Sequence, residues 1–145
     1  MKKKEINIGS LSERLRATEL LLDISRKIAG LKTLEQILWT LIEFVTVELE
    51  ADRGTLFLND KDTNELYSRV AQGDLTREIR ILNNVGIAGA IFQGQVGEII
   101  HDVYKDSRFN KEVDQETGYL TKNMICSPVK TVGGETIGVI QVLNK

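Results

Sequence analysis

The chain has 145 residues, 41% hydrophobic and 28% charged, with 19 basic against 21 acidic residues and a net charge of -2. That length suits about one domain, with a core large enough to need no covalent staple. The near balance of charge excludes the basic field that nucleic acid requires. A single cysteine, Cys126, excludes an internal disulfide and a zinc site built on thiolates alone. No apolar run approaches the ~20 residues of a membrane span. The start, MKKKEINIGS, is too polar for a signal peptide, and its Lys2–Lys4 run reads as a solvated tail. The expected compartment is cytoplasmic, with neither nucleic acid nor membrane as partner.

Residues 1–10 are expected as a flexible basic tail and 11–145 as a single α+β domain. Ser10 and Glu13 have the spacing of a capping box. Ala17, Leu21, Ile24, Ile28 and Leu31 then follow at four- and three-residue steps, which predicts a long helix over 11–31. Leu11, Leu15, Leu20 and Leu22 widen that stripe beyond what one small sheet needs. This predicts a homodimer through Leu15, Leu21, Leu22, Ile24 and Ile28, joined as a parallel helix bundle. A second capping box, Thr33 with Gln36, opens the next helix. Its face is expected to carry Leu34, Leu38, Leu41 and Val45, flanked by Ile37 and Phe44.

Beyond Asp52 the period becomes that of strands. GTLFLND, ELYSRVAQ and REIRIL are three strand-like runs, the first two joined by the turn KDTN. NNVGIAGAIFQGQ reads as a turn opening a short helix, and GEIIHDV as another strand. RFNKEVDQETGYLTKN, residues 108–123, reads as a long polar loop, a length that a compact domain rarely spends without a function. MICSPVKT and ETIGVIQVLN close the chain as a hairpin around VGG. Short turns between strands point to an antiparallel sheet with helices packed on it.

Catalytic signals are weak. His101 is the one histidine and has only Asp102 beside it; Cys126 sits within a strand, where a buried small residue is expected. There is no P-loop, metal-binding helix or EF-hand spacing. Binding signals are better. GIAGA, residues 86–90, puts small residues at a helix start, where free backbone N–H groups and the dipole favour an anion; close packing explains the same glycines. Gln141 shares a strand face with Ile137, Val139 and Leu143, and Thr55 shares one with Phe57. A polar group on an apolar face costs about 1–3 kcal/mol unless it is hydrogen-bonded, so a neighbour or a ligand must satisfy each. Laid over that face, the 108–123 loop would add Asn110, Asp114, Thr117, Tyr119 and Thr121 to a pocket suited to a small anion with a flat, hydrogen-bonding part.

ADRGTLFLND, GIAGAIFQGQ, DVYKDSRFNKEVDQETGYLTKNMICSPV and IGVIQVLNK together resemble a GAF domain, in particular the cyclic-nucleotide-binding GAF domains of phosphodiesterases and cyanobacterial-type adenylyl cyclases. The resemblance runs from about Arg16 to Lys145. It implies a central antiparallel sheet of about six strands and a ligand buried under the 108–123 segment. It implies that the N–H groups of Ile87 and Ala88 face the cyclic phosphate and that Asn110, Asp114, Thr117 and Thr121 line the nucleotide. Thr55 matches a position that contacts the base, and Gln141 one where a base-reading carboxylate can stand. Ala71 and Gln72 occupy the place of an aromatic and an acid in the cGMP-selective type. With both acids replaced, and with an amide able to donate and to accept, cAMP is favoured over cGMP as regulatory ligand, with no covalent cofactor.

The resemblance further implies a non-catalytic sensor that reports to a downstream effector domain, or else a dimerisation module with an empty pocket. Asn144 and Lys145 match the start of the family's cyclic-nucleotide signature, whose later residues and C-terminal helix would then be missing. Methionine-sulfoxide reductases of this fold need two thiols, against one here. Bilin photosensors carry their attachment cysteine in the loop, often before a histidine, whereas Cys126 lies in a strand before Ser127.

Overall fold

The computed structural model describes residues 8–73 and 78–145. Two compact units divide the chain, the second running from Ile42 to Lys145. Helix α1 spans Ile8–Ala29 and α2 spans Leu34–Glu48. Helix α1 begins before Ser10, so residues 8–10 belong to it and not to a tail, and Ser10 is not its N-cap; residues 1–7 lie outside the described residues. The second expected capping box is present. The Gln36 N–H donates to Thr33 Oγ1 at 3.2 Å, and Gln36 Oε1 accepts from the N–H groups of Lys32 and Thr33 at 3.1 and 3.4 Å.

Six strands follow: β1 Arg53–Asp60, β2 Glu65–Ala71, β3 Arg80–Leu82, β4 Glu98–Ile100, β5 Met124–Lys130 and β6 Thr136–Leu143. They make one sheet in the order β3-β2-β1-β6-β5-β4, antiparallel throughout. Helix α3, Gly86–Gly94, links β3 to β4. The closing hairpin turns as expected: the Thr131 N–H reaches Glu135 O at 2.8 Å, with Gly134 at φ 89°.

The sheet is buried on both faces. On one, Phe57, Leu66, Met124, Cys126 and Val139 pack with Ile87, Ala88 and Ile91 of α3 and with Ile100 and Val103. On the other lie Leu56, Val70 and Val142. There Gly54 leaves room for α2, since a Cβ on it would stand 3.1 Å from both Ile42 and Thr46. Ile42 and Thr46 are the buried residues of α2; of the face expected from periodicity, Leu38, Leu41, Val45, Ile37 and Phe44 are half-buried, while Leu34 is 54% exposed and does not belong to it. The Thr46 hydroxyl bonds back to the carbonyls of Ile42 and Glu43, so a polar residue can be buried there at little cost.

The larger correction concerns 108–123, which is not a structureless loop. A 3-10 turn covers Val103–Lys105 just before it, and α4 covers Lys111–Thr117 within it. Asn110 caps α4, its side chain accepting from the Glu112 N–H at 3.0 Å, and Gly118 ends it at φ 71°. Both caps are visible in the sequence. Seven mostly charged residues around Val113 carry no apolar stripe, so periodicity had nothing to register.

Candidate functional site

Strand register assembles the polar row that the sequence suggested. Thr55 of β1 pairs with Gln141 of β6, and Gln141 pairs in turn with Cys126 of β5. Ala71 pairs with Thr55 from the other side. The row lies on the α3 face, next to the buried Phe57 and Val139. Thr55 is buried, and the Gln141 amide donates to Cys126 Sγ at 3.7 Å, a weak partner. Burial pushes the Cys126 thiol up to about 12, so it stays protonated and unreactive at neutral pH.

Helix α3 brings its N-terminus to this face. Ile87 and Ala88 are buried in its first turn, and Val85, the N-cap, supplies no side-chain acceptor for the orphan N–H groups. Both early glycines also have structural duties. Gly86 holds φ 71°, and a Cβ on Gly89 would come within 2.7 Å of the Asn84 carbonyl carbon. The segment leading into α4 passes close by, with Arg108 O 3.6 Å from where a Gly86 Cβ would stand. Arg108 is anchored there by ion pairs to Glu98 of β4 at 2.7 Å and to Asp106 at 2.8 Å, and it holds the Asp106 carboxyl at about 2.

The remaining expected site residues are engaged within the chain. Asp114 turns its carboxylate inward, where it accepts from the Tyr104 hydroxyl at 2.8 Å and from the Thr121 N–H and hydroxyl at 2.7 Å each. Asp114 and Thr121 are both buried. The Thr117 hydroxyl donates to Val113 O, and Asn110 is occupied as the cap. Gln72 turns back on the sheet, its Oε1 accepting from the Gly54 N–H at 2.9 Å. The structure therefore brings Thr55, Gln141, Ala71, Ile87 and Ala88 to one face and gives Asp114 and Thr121 to the fastening of α4. Sequence reading missed Tyr104 as the partner of Asp114 and Asn144 as the partner of residues 119–123; no local spacing signals either contact.

Among the described residues no group of histidine, cysteine, aspartate and glutamate side chains could hold a metal, and no helix is long and apolar enough to cross a membrane. An antiparallel six-stranded sheet with a short uncapped helix on one face, two helices earlier in the chain and a fastened segment before β5 defines a class of small α+β domains. The chain belongs to the GAF domain family, whose model matches residues 33–145.

Among curated proteins it is 32% identical over 149 residues to the probable 3',5'-cyclic phosphodiesterase pde-5 of Caenorhabditis elegans, covering 94% of this chain and 20% of that protein. It is 33% identical to the dual 3',5'-cyclic-AMP and -GMP phosphodiesterase 11 of Drosophila melanogaster, over 92% of this chain and 10% of that one. It is also 33% identical to the cGMP-specific 3',5'-cyclic phosphodiesterase of Drosophila mojavensis, over 88% and 13%. The chain thus spans a fifth or less of the length of these relatives. Among solved structures, the GAF domain of a Coxiella burnetii phosphoenolpyruvate-protein phosphotransferase superposes with a TM-score of 0.79 at 19% identity, covering 88% of this chain and 76% of that one. The nlh2 GAF domain of A. aeolicus, solved in an inactive state, gives 0.75 at 24%, over 91% and 81%. What the chain shares with these phosphodiesterases is therefore a GAF domain, a small part of each.

Proposed function

We propose that this GAF domain binds a cyclic nucleotide on the α3 face of its sheet and passes the binding event to an effector domain of a larger protein. The observation that carries this is an uncapped helix start, at Ile87 and Ala88, on the same face as a polar row, Thr55–Gln141–Cys126, whose ends are buried and whose Gln141 is half-buried. The first suits a phosphate and the second a base edge. The names of the curated relatives support a cyclic nucleotide as the ligand class. They lend no support to the preference for adenine drawn from Gln141, because cGMP-specific and dual enzymes stand among them. The Gln141 amide can meet either base.

The test is thermal unfolding with cAMP, cGMP and 5′-AMP in separate large excess. A ligand at 100 times its dissociation constant adds about 2.7 kcal/mol, or roughly 5–10 °C at ~2–4 °C per kcal/mol. A rise with a cyclic nucleotide but not with 5′-AMP is expected, and no rise with any of them refutes the proposal. Thr117→Ala should weaken the effect while leaving the apo midpoint nearly unchanged, since that hydroxyl bonds only within its own turn and to the Tyr119 N–H.

A second proposal, compatible with the first, is a homodimer through α1. Leu11, Leu15 and Leu22 are 55%, 59% and 52% exposed and lie at four- and seven-residue steps, a coiled-coil seam. Leu21 is exposed beside them, whereas Ile24 is buried within the chain and Ile28 half-buried. Leu15→Glu together with Leu22→Glu should halve the sedimentation mass; a mass equal to that of the parent chain rules out this seam.

A further inference from the structure

Asn144 stands one residue past β6 in the left-handed region, at φ 57°. Its side chain is fully committed to one segment of five residues. Oδ1 accepts from the N–H groups of Lys122 at 2.7 Å and Asn123 at 3.4 Å, while Nδ2 donates to Leu120 O and to the Tyr119 hydroxyl oxygen, both at 2.8 Å. Its backbone adds two bonds, from its own N–H to Asn123 O and from the Asp52 N–H to its carbonyl, each at 3.1 Å. Tyr119 reaches the same place from the other side: its hydroxyl donates to Asp52 Oδ2 at 2.6 Å, and the Arg53 guanidinium lies 3.7 Å from its ring centroid. The middle of the segment is held to α4, through the two bonds from Thr121 to Asp114.

One asparagine thus ties the residues that fasten α4 to two distant points of the chain, the exit from β6 and the entry to β1. A side chain that needed only to cap β6 would not use both its donors and its acceptor on residues 119–123. We infer that Asn144 is a latch that makes α4, residues 119–123, the exit from β6 and the entry to β1 one cooperative unit. Whatever displaces the Asp114–Thr121 contact then loosens the chain on both sides of the β1–β6 pair. Its use in signalling rests on the sensor function proposed above, because a ligand on the α3 face would act on α4; the latch itself does not.

Native-state amide hydrogen exchange on the nucleotide-free chain tests the latch separately from ligand binding. Asn144→Gly keeps the positive φ and removes only the side chain. The Lys122 N–H, bonded directly to Asn144 Oδ1, must lose protection and serves as the control. The diagnostic amides are Thr121, bonded to Asp114, and Asp52, bonded to the carbonyls of Leu143 and Asn144, because neither touches the deleted atoms. Both should exchange roughly 10- to 100-fold faster, with Phe57 and Val139 unchanged, as expected for loss of one local unit. If only Lys122 and Asn123 speed up while Thr121 and Asp52 keep their rates, the unit does not exist and the inference is overturned. Should Asn144→Gly fail to fold, Tyr119→Phe removes the hydroxyl that joins Asn144 to Asp52 and should speed the same two amides by about 3- to 10-fold; unchanged rates there overturn it equally.

Discussion

Replacing Asp114 by Ala removes the acceptor of three hydrogen bonds. The Tyr104 hydroxyl loses little, since Tyr104 is 38% exposed and water can take its place. Thr121 is 3% exposed, so its N–H and hydroxyl are left buried without an acceptor. Each stranded donor costs about 1–3 kcal/mol. The carboxylate's own burial cost is relieved at the same time, so the net loss should be roughly 3 kcal/mol. For a domain of this size that lowers the midpoint by about 6–12 °C. Asp114→Asn is the control. Its amide oxygen can keep the Thr121 N–H and the Tyr104 hydroxyl, and its NH2 can donate to the Thr121 oxygen once the hydroxyl turns. Only charge assistance is lost, about 1 kcal/mol. Urea unfolding of both variants, with Thr121→Ala to close a double-mutant cycle, measures the terms. If Asp114→Ala lies within 1 kcal/mol of the parent chain, or Asp114→Asn is equally damaging, Asp114 does not fasten α4 and the account of the 108–123 segment fails.

Three further outcomes are expected. Glu50 sits at φ 52° just past α2, where the Ala51 N–H reaches Thr46 O and the Glu50 N–H reaches Val47 O, a helix end that usually carries glycine; Glu50→Gly should add about 1 kcal/mol to stability in urea unfolding, and any loss contradicts the assignment. Gly89→Ala places a Cβ 2.7 Å from the Asn84 carbonyl carbon and should cost about 2 kcal/mol, whereas no change would mean that the 83–85 turn yields freely. Cys126 has its thiol raised from 9.0 to about 12, so the folded chain holds a proton that the unfolded chain releases. This stabilisation is complete below pH 9 and is lost as pH rises toward 12, by about 1.4 kcal/mol per pH unit. The stability of the parent chain minus that of Cys126→Ala, followed from pH 8 to 11, should fall accordingly, and a flat difference refutes burial of the thiol.

Much of this fold was legible in the chain because the signals were local. The alternating runs from Arg53 onward announced their strands, the Thr33–Gln36 pair its capping box, and VGG its turn, since each depends on side chains a few residues apart. The α+β class and the antiparallel sheet follow from such runs joined by short connections. Thr55 and Gln141 could be marked as polar residues on apolar faces, but only strand register made them direct neighbours, with Cys126 third in the row. Helix α4 escaped because its stability comes from two caps and one inward carboxylate, not from an apolar stripe. The fate of Asp114 and Thr121 was beyond sequence reasoning for the same reason. Residues able to hydrogen-bond a ligand are equally able to bond each other, and which they do depends on a fold that brings Tyr104, Asp114 and Thr121 within 3 Å. Sequence by itself determined where strands and turns fall and which residues could donate or accept; tertiary structure decided their partners, because a hydrogen bond is settled by distance and desolvation across the fold.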